Sequence, residues 1–164
     1  MSERWKPSVT VAAIAGRERG GRREYLMVEE TTADGLRLNN PAGHLEPGES
    51  PQQAVAREAL EETARVFVPE RLLGVYLTRS GGSGDDSGTT YLRIAFTGRA
   101  ADADPARRLD DGIVRTLWMT LDELRASQPR HRSPLVLRCV EDAAAGRGEA
   151  LDLVVTDASI YASP

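Results

Sequence analysis

Three glutamates, Glu58, Glu61 and Glu62, stand at spacings that bring them to one side of a helix. Residues related by i, i+3 and i+4 share a face, and at 100° per residue these three fall within roughly a 100° arc. Ala56, Ala59, Leu60 and Thr63 lie on the other side and are expected to face a core. Like charges at this spacing repel by roughly a few tenths of a kcal/mol per pair. Solvent relieves that repulsion, and so does a bound divalent cation. Carboxylate oxygens are hard ligands and favour Mg2+, Mn2+ or Ca2+. The ordinary alternative is a solvated acidic face with Arg57 paired to Glu61.

The acidic run needs a helix to hold it, and the preceding residues supply one. In Ser50-Pro51-Gln52-Gln53 the serine can cap, the proline suits the first helical position, and Gln53 completes a capping box. The helix is expected to run to about Ala64. Strands are expected at Ser8 to Ala15, Glu24 to Glu30, Leu72 to Thr78, Thr90 to Thr97 and Val114 to Met119, with a short extended piece at Leu36 to Leu38. Gly16 to Arg23 reads as a loop and Thr31 to Gly35 as a turn. Arg79 to Thr89, rich in Gly and Ser and carrying Asp85-Asp86, reads as a mobile loop. Thr120 to Glu123 is a second capping box opening a short helix, and Ser133-Pro134 starts a third that ends near Gly146. Leu151 to Val155 is a final strand or an extended tail. Strands interleaved with helices imply an α/β sandwich around a mixed β-sheet.

The 164 residues suit one domain, with 40% hydrophobic and 28% charged residues typical of a globular protein. No apolar run approaches the length of a bilayer span, so no membrane is expected. The net charge of -4 argues against a nucleic-acid binder. All basic residues but Lys6 are arginine, a bias of genome composition. The single cysteine, Cys139, cannot form an intramolecular disulfide, and a cytoplasmic location is the default expectation. Val9 to Ala15 is too short and too β-rich to favour a signal peptide, despite the A-x-A pattern at Ala13-Ile14-Ala15.

Across the wider segment, Gly43, Glu49, Arg57, Glu58, Glu61 and Glu62 fit G-x5-E-x7-R-E-x-x-E-E. This long pattern resembles the signature of the Nudix hydrolases. VTVAAI, LMVEETTADG, NNPAGHLE, TTYLRIAF, the stretch from Asp111 to Trp118 and RSPLV resemble the NudJ-type phosphatases of that superfamily. The resemblance implies a Nudix domain over residues 6–138, a Nudix-like α/β/α sandwich. Residues 139–164 would be the end of the C-terminal helix and a tail packed on it. It further implies a Mg2+-dependent enzyme, with Mn2+ possible, that removes phosphate from nucleoside di- and triphosphates or from pyrophosphates of thiamine and its hydroxymethylpyrimidine precursor. Glu58 and Glu62 would bind the metal, Glu61 would be ligand or base, and the Gly43 carbonyl would complete the shell. Arg57 would orient a carboxylate and Glu49 would brace the loop-to-helix turn. Two positions depart from the family pattern. Its closing glycine is Ala64 here, which puts the helix end in question. The apolar residue after it is Arg65, leaving Val66 to supply the contact.

Other residues carry weaker signals. Asn39 and Asn40 are turn residues first and substrate contacts second. Arg93, mid-strand, reaches a solvent face first and lines a substrate cleft second. His44 is expected to be structural, His131 to lie on the surface, and Tyr91 and Trp118 to be core or cleft wall. Cys139 is expected to be a buried thiol. Arg132-Ser133-Pro134 is expected to cap a helix first, with phosphate contact the second reading that the resemblance leaves open, and Asp85-Asp86 to be solvated rather than a mobile base. ADP-ribose or dinucleoside polyphosphates stay open as alternative substrates, as does a non-catalytic nucleotide sensor. The oligomeric state, monomer or homodimer, is not specified by the sequence.

Overall fold

Alternation within the first strand sets the layers. In the computed structural model, which describes residues 4–80 and 88–162, β1 spans Ser8–Arg19 and its centre is buried on both faces. Val11, Ala13 and Ala15 pack towards one helix, α1 (Pro51–Thr63), against Ala54, Val55 and Ala59. Ala12 and Ile14 pack the other way, onto α2 (Leu121–Ala126) and α3 (Leu135–Ala144), through Leu124, Val136 and Val140. A strand covered on both sides reads as a continuous apolar run, as this one does. The result is an α/β/α sandwich of the expected class.

The remaining strands are β2 (Arg22–Thr32), β3 (Gly35–Asn39), β4 (Ala42–His44), β5 (Phe67–Ser80), β6 (Thr89–Ala100), β7 (Ile113–Thr120) and β8 (Glu149–Ala150). They form one sheet in the order β3-β2-β1-β6-β5-β8, with β4 on β1 and β7 on β2. The β1–β6 pair is parallel and its neighbours are antiparallel, so the sheet is mixed. Register puts Thr10 of β1 between His44 of β4 and Arg93 of β6.

Several boundaries differ from expectation. Gly16 to Arg23 is no loop. The two strands run on to a two-residue hairpin turn at Gly20 and Gly21, where φ of 57° and 73° demands glycine. β5 starts at Phe67 rather than Leu72, and its register shifts between Pro69 and Arg71, where a bulge absorbs the proline. The ends of the expected 79–89 loop are strand, while Asp85-Asp86 lies outside the described residues. Leu151–Leu153 is a 3-10 turn, and only Glu149 and Ala150 pair with the sheet. Asn39 closes β3 opposite Val28 instead of sitting in a turn.

Both capping boxes form, Ser50 with Gln53 and Thr120 with Glu123. The third helix has no such cap: its first position follows Pro134, and no side chain bonds its open amides. At the other end of α1, Ala64 adopts the left-handed conformation usually given to glycine, with φ 54° and ψ 26°. Val66 is 58% exposed, and the buried apolar residue after the helix is Phe67. Among the described residues no helix is long and apolar enough to cross a membrane.

Candidate active site

The buried side of α1 only partly matches the side expected. Ala54, Val55, Ala59 and Thr63 are buried, but so are Glu58 and Glu62, at 9% and 8% exposure, while Ala56 and Leu60 are only half-buried. The helix thus presses two carboxylates against β4. Glu62 Oε2 accepts the Ala42 N–H at 2.9 Å. Gly43 lies directly against the Glu58 carboxyl, and a Cβ built there would fall inside it. Only glycine lets strand and carboxylate approach this closely.

Arg57 organises the remainder. Its Nε and Nη2 donate to both oxygens of Glu49, at 3.0 and 2.7 Å, in a forked pair. Nη1 is shared between Glu58 at 2.8 Å and Glu61 at 3.0 Å, and Nη2 also donates to the His44 carbonyl at 3.0 Å. Glu49 in turn accepts the Glu46 N–H at 2.8 Å, which closes the loop before the helix. The Arg57 guanidinium holds the Glu49 carboxyl below its usual range.

The deeper carboxylates are shifted the opposite way. Burial raises Glu58 despite the neighbouring arginine. Burial pushes Glu62 up to about 8, and repulsion from Glu58, Glu30 and Asp110 adds to it. Buried carboxylates that repel one another are relieved by a cation. Their oxygens, with the Gly43 carbonyl, suit a hard divalent ion in kind. Among the described residues no three His, Cys, Asp or Glu side chains converge closely enough to hold an ion as they stand. Glu61 is drawn aside to Arg57, and Glu62 is tied to Ala42.

A cleft of about 230 Å³ borders β4 as well, lined by Ala42, Gly43, His44, Thr10, Asn39 and Arg93 among others. Arg93 is 8% exposed and donates to Asn40 Oδ1 at 3.2 Å, so it lies in the cleft floor and not on a solvent face. Tyr91 is cleft wall, its ring 6.4 Å from that of His44. Trp118 lies in the α1 layer beneath the Arg17 guanidinium, 4.1 Å from its ring centre. His131 is half-buried rather than on the surface, its ring 3.3 Å from Ser127 Oγ. Cys139 is fully buried, and burial pushes its thiol up to about 11.

Sequence reasoning missed Thr10, Glu30 and Asp110. Thr10 was visible as a polar residue within an otherwise apolar strand. Glu30 and Asp110 act through space, and no spacing connects them to the helix.

Residues 6–138 match the NUDIX domain family. The chain is 31% identical over 151 residues to the phosphatase NudJ of Escherichia coli K12, covering 92% of each protein. A NUDIX hydrolase structure from Nitrosomonas europaea superimposes with a TM-score of 0.84 at 48% identity, covering 93% of this chain and 98% of that one. The NUDIX domain of NrtR from Shewanella oneidensis, solved with ADP ribose, shares the fold at a TM-score of 0.66 and 18% identity, covering 87% and 89%. Enzymes of this kind generally use divalent metals. Family match, near full-length similarity and a carboxylate helix seated on Gly43 agree, and the chain belongs to the Nudix hydrolases.

Proposed function

We propose that the enzyme is a Mg2+-dependent phosphohydrolase, active also with Mn2+. It releases phosphate from nucleoside di- and triphosphates, or from related pyrophosphates such as those of thiamine or hydroxymethylpyrimidine. One observation carries this reading: the Glu58 and Glu62 carboxylates and the cleft meet at the same two residues, Ala42 and Gly43. A substrate whose organic part fills the cleft would lay its phosphates at the carboxylates. The similarity to NudJ phosphatases supports phosphate as the product.

In this reading Glu58, Glu62 and the Gly43 carbonyl would hold the metal. When bound it would neutralise phosphate charge and acidify the attacking water. The chain's own residues do the positioning. Arg57 fixes Glu49 and Glu58, and the Ala42 N–H fixes Glu62. Glu61, once released from Arg57, is further ligand or general base. Asn39 and Arg93 would contact the organic part from the cleft. The catalytic unit would be residues 6–138, with 139–164 packed on it. The partner would be a small cytosolic nucleotide or pyrophosphate, with neither nucleic acid nor membrane involved.

The test is to incubate the protein with Mg2+ and nucleoside di- and triphosphates, thiamine pyrophosphate and ADP-ribose, then identify the fragments released. Orthophosphate that disappears with EDTA, and in Glu58→Gln and Glu62→Gln, is the expected result. AMP from ADP-ribose as the dominant product would overturn the phosphatase reading, and full activity in either variant would overturn the site.

A further inference from the structure

Three buried polar atoms lining the cleft, Thr10 Oγ1, Asn39 Oδ1 and Ser133 Oγ, have no hydrogen-bond partner among the described residues. Thr10 and Asn39 are each only 8% exposed. A polar atom buried without a partner costs free energy, and a ligand that supplies the partner recovers it. Asn39 is the more informative of the two. Its Nδ2 donates to Glu30 Oε1 at 3.1 Å. A carboxylate can only accept, so the amide cannot turn round, and Oδ1 is the end left over. That end is an acceptor and calls for an N–H.

Arg93 supplies the opposite character. It is a permanent cation, one of its nitrogens donates to Asn40, the buried Cys139 thiol also lies against it, and no described carboxylate pairs with it. An anion alone would satisfy Arg93 and the two hydroxyls. It would also face the Asn39 lone pairs with the Glu30 charge behind them. A ring bearing an N–H and a carbonyl or ring-nitrogen acceptor satisfies both ends. We infer that the cleft takes an N–H-bearing nitrogen heterocycle and that Asn39, held by Glu30, determines specificity by accepting that N–H. The inference rests on the reading above, in which the organic part of the substrate occupies this cleft.

Calorimetric binding of nucleoside monophosphates to the full chain with Mg2+ tests it. The probes are pairs differing by one exocyclic amino group: CMP against its 4-deamino analogue, AMP against purine riboside monophosphate, and GMP against IMP. In the unaltered protein at least one pair should differ by about tenfold or more in Kd. Asn39→Ala should bring that pair within about twofold. Glu30→Gln should weaken the preference with Asn39 intact, because a glutamine lets the Asn39 amide turn. No preference in the unaltered protein, or a preference that survives both substitutions, overturns the assignment. Turnover of the pyrophosphate panel is the separate readout: a preference without any turnover would sink the hydrolase reading and keep Asn39, and turnover without a preference would do the reverse.

Discussion

Gly43 stands so close to the Glu58 carboxyl that a methyl group at position 43 would occupy the space of that carboxyl. Its backbone is not in the left-handed region, so alanine is excluded by the carboxylate and not by strain. Gly43→Ala should therefore displace Glu58 and leave the sheet intact. Activity should fall by roughly ten- to a hundredfold, the cost of misplacing a group by about 1 Å, with more metal needed for half-maximal rate. Kinetics with a metal titration check this. In the double variant with Glu58→Ala, the Gly43→Ala penalty should largely vanish, because the clash has lost its partner. Additive effects would place the glycine's role elsewhere.

Arg57 holds two carboxylates that are otherwise poorly solvated, Glu49 and Glu58, with side-chain exposures of 14% and 12%. Arg57→Ala should cost about 2 kcal/mol in urea unfolding, since it leaves charge-assisted bonds unmade. Arg57→Lys restores one charge but not the fork to Glu49, and should recover less than half of the loss. A lysine variant as stable as the parent would mean that charge alone, not geometry, matters here.

Glu29 has a different role. Its side chain is only 3% exposed and is gripped by Arg115 at 2.7 Å and by Arg130. The hydrogen bond from Arg115, joined by the Arg130 charge, holds the carboxyl below its ordinary value of 4.5. A carboxyl depressed in the folded state contributes stability that is present above its unfolded value and lost as pH falls through the folded one. Glu29→Gln should be markedly less stable than the parent at pH 7, and the gap should close below pH 4.5. Unfolding curves from pH 7 to pH 3 measure it, and a gap independent of pH would refute the charge argument.

What the sequence disclosed and what it hid follow from range. Helix α1 was legible because Ser50 and Gln53 are local and bond each other. The β1–β2 hairpin beyond Gly16 was not, because its residues there are charged on both strands. Arg17 and Glu24 pair across it at 2.7 Å, and no apolar period marks it. The acidic helical face was legible, but its burial was not. Glu58 and Glu62 share the inner side with Val55 and Ala59, and only β4 shows why. Thr10 meets Arg93 through a parallel pairing between distant strands, and spacing along the chain carries no trace of it.

Ala64 turns a departure in the sequence into a measurement. At φ 54° and ψ 26° it ends α1 in the conformation that glycine adopts without a Cβ penalty, and its N–H still bonds Leu60 O at 3.0 Å. The left-handed region costs a non-glycine residue about 1–2 kcal/mol. Glycine relieves that cost but gives back part of it, roughly 0.5–1 kcal/mol, as extra freedom in the unfolded chain. Ala64 is also 4% exposed, so its methyl group contributes some packing. The balance favours Ala64→Gly by about 0.5 kcal/mol. A thermal melt should rise slightly, and kcat should not change, since Glu58 and Glu62 lie earlier in the helix. A lower melting temperature would mean that the buried methyl outweighs the backbone term, and that alanine is held here by packing.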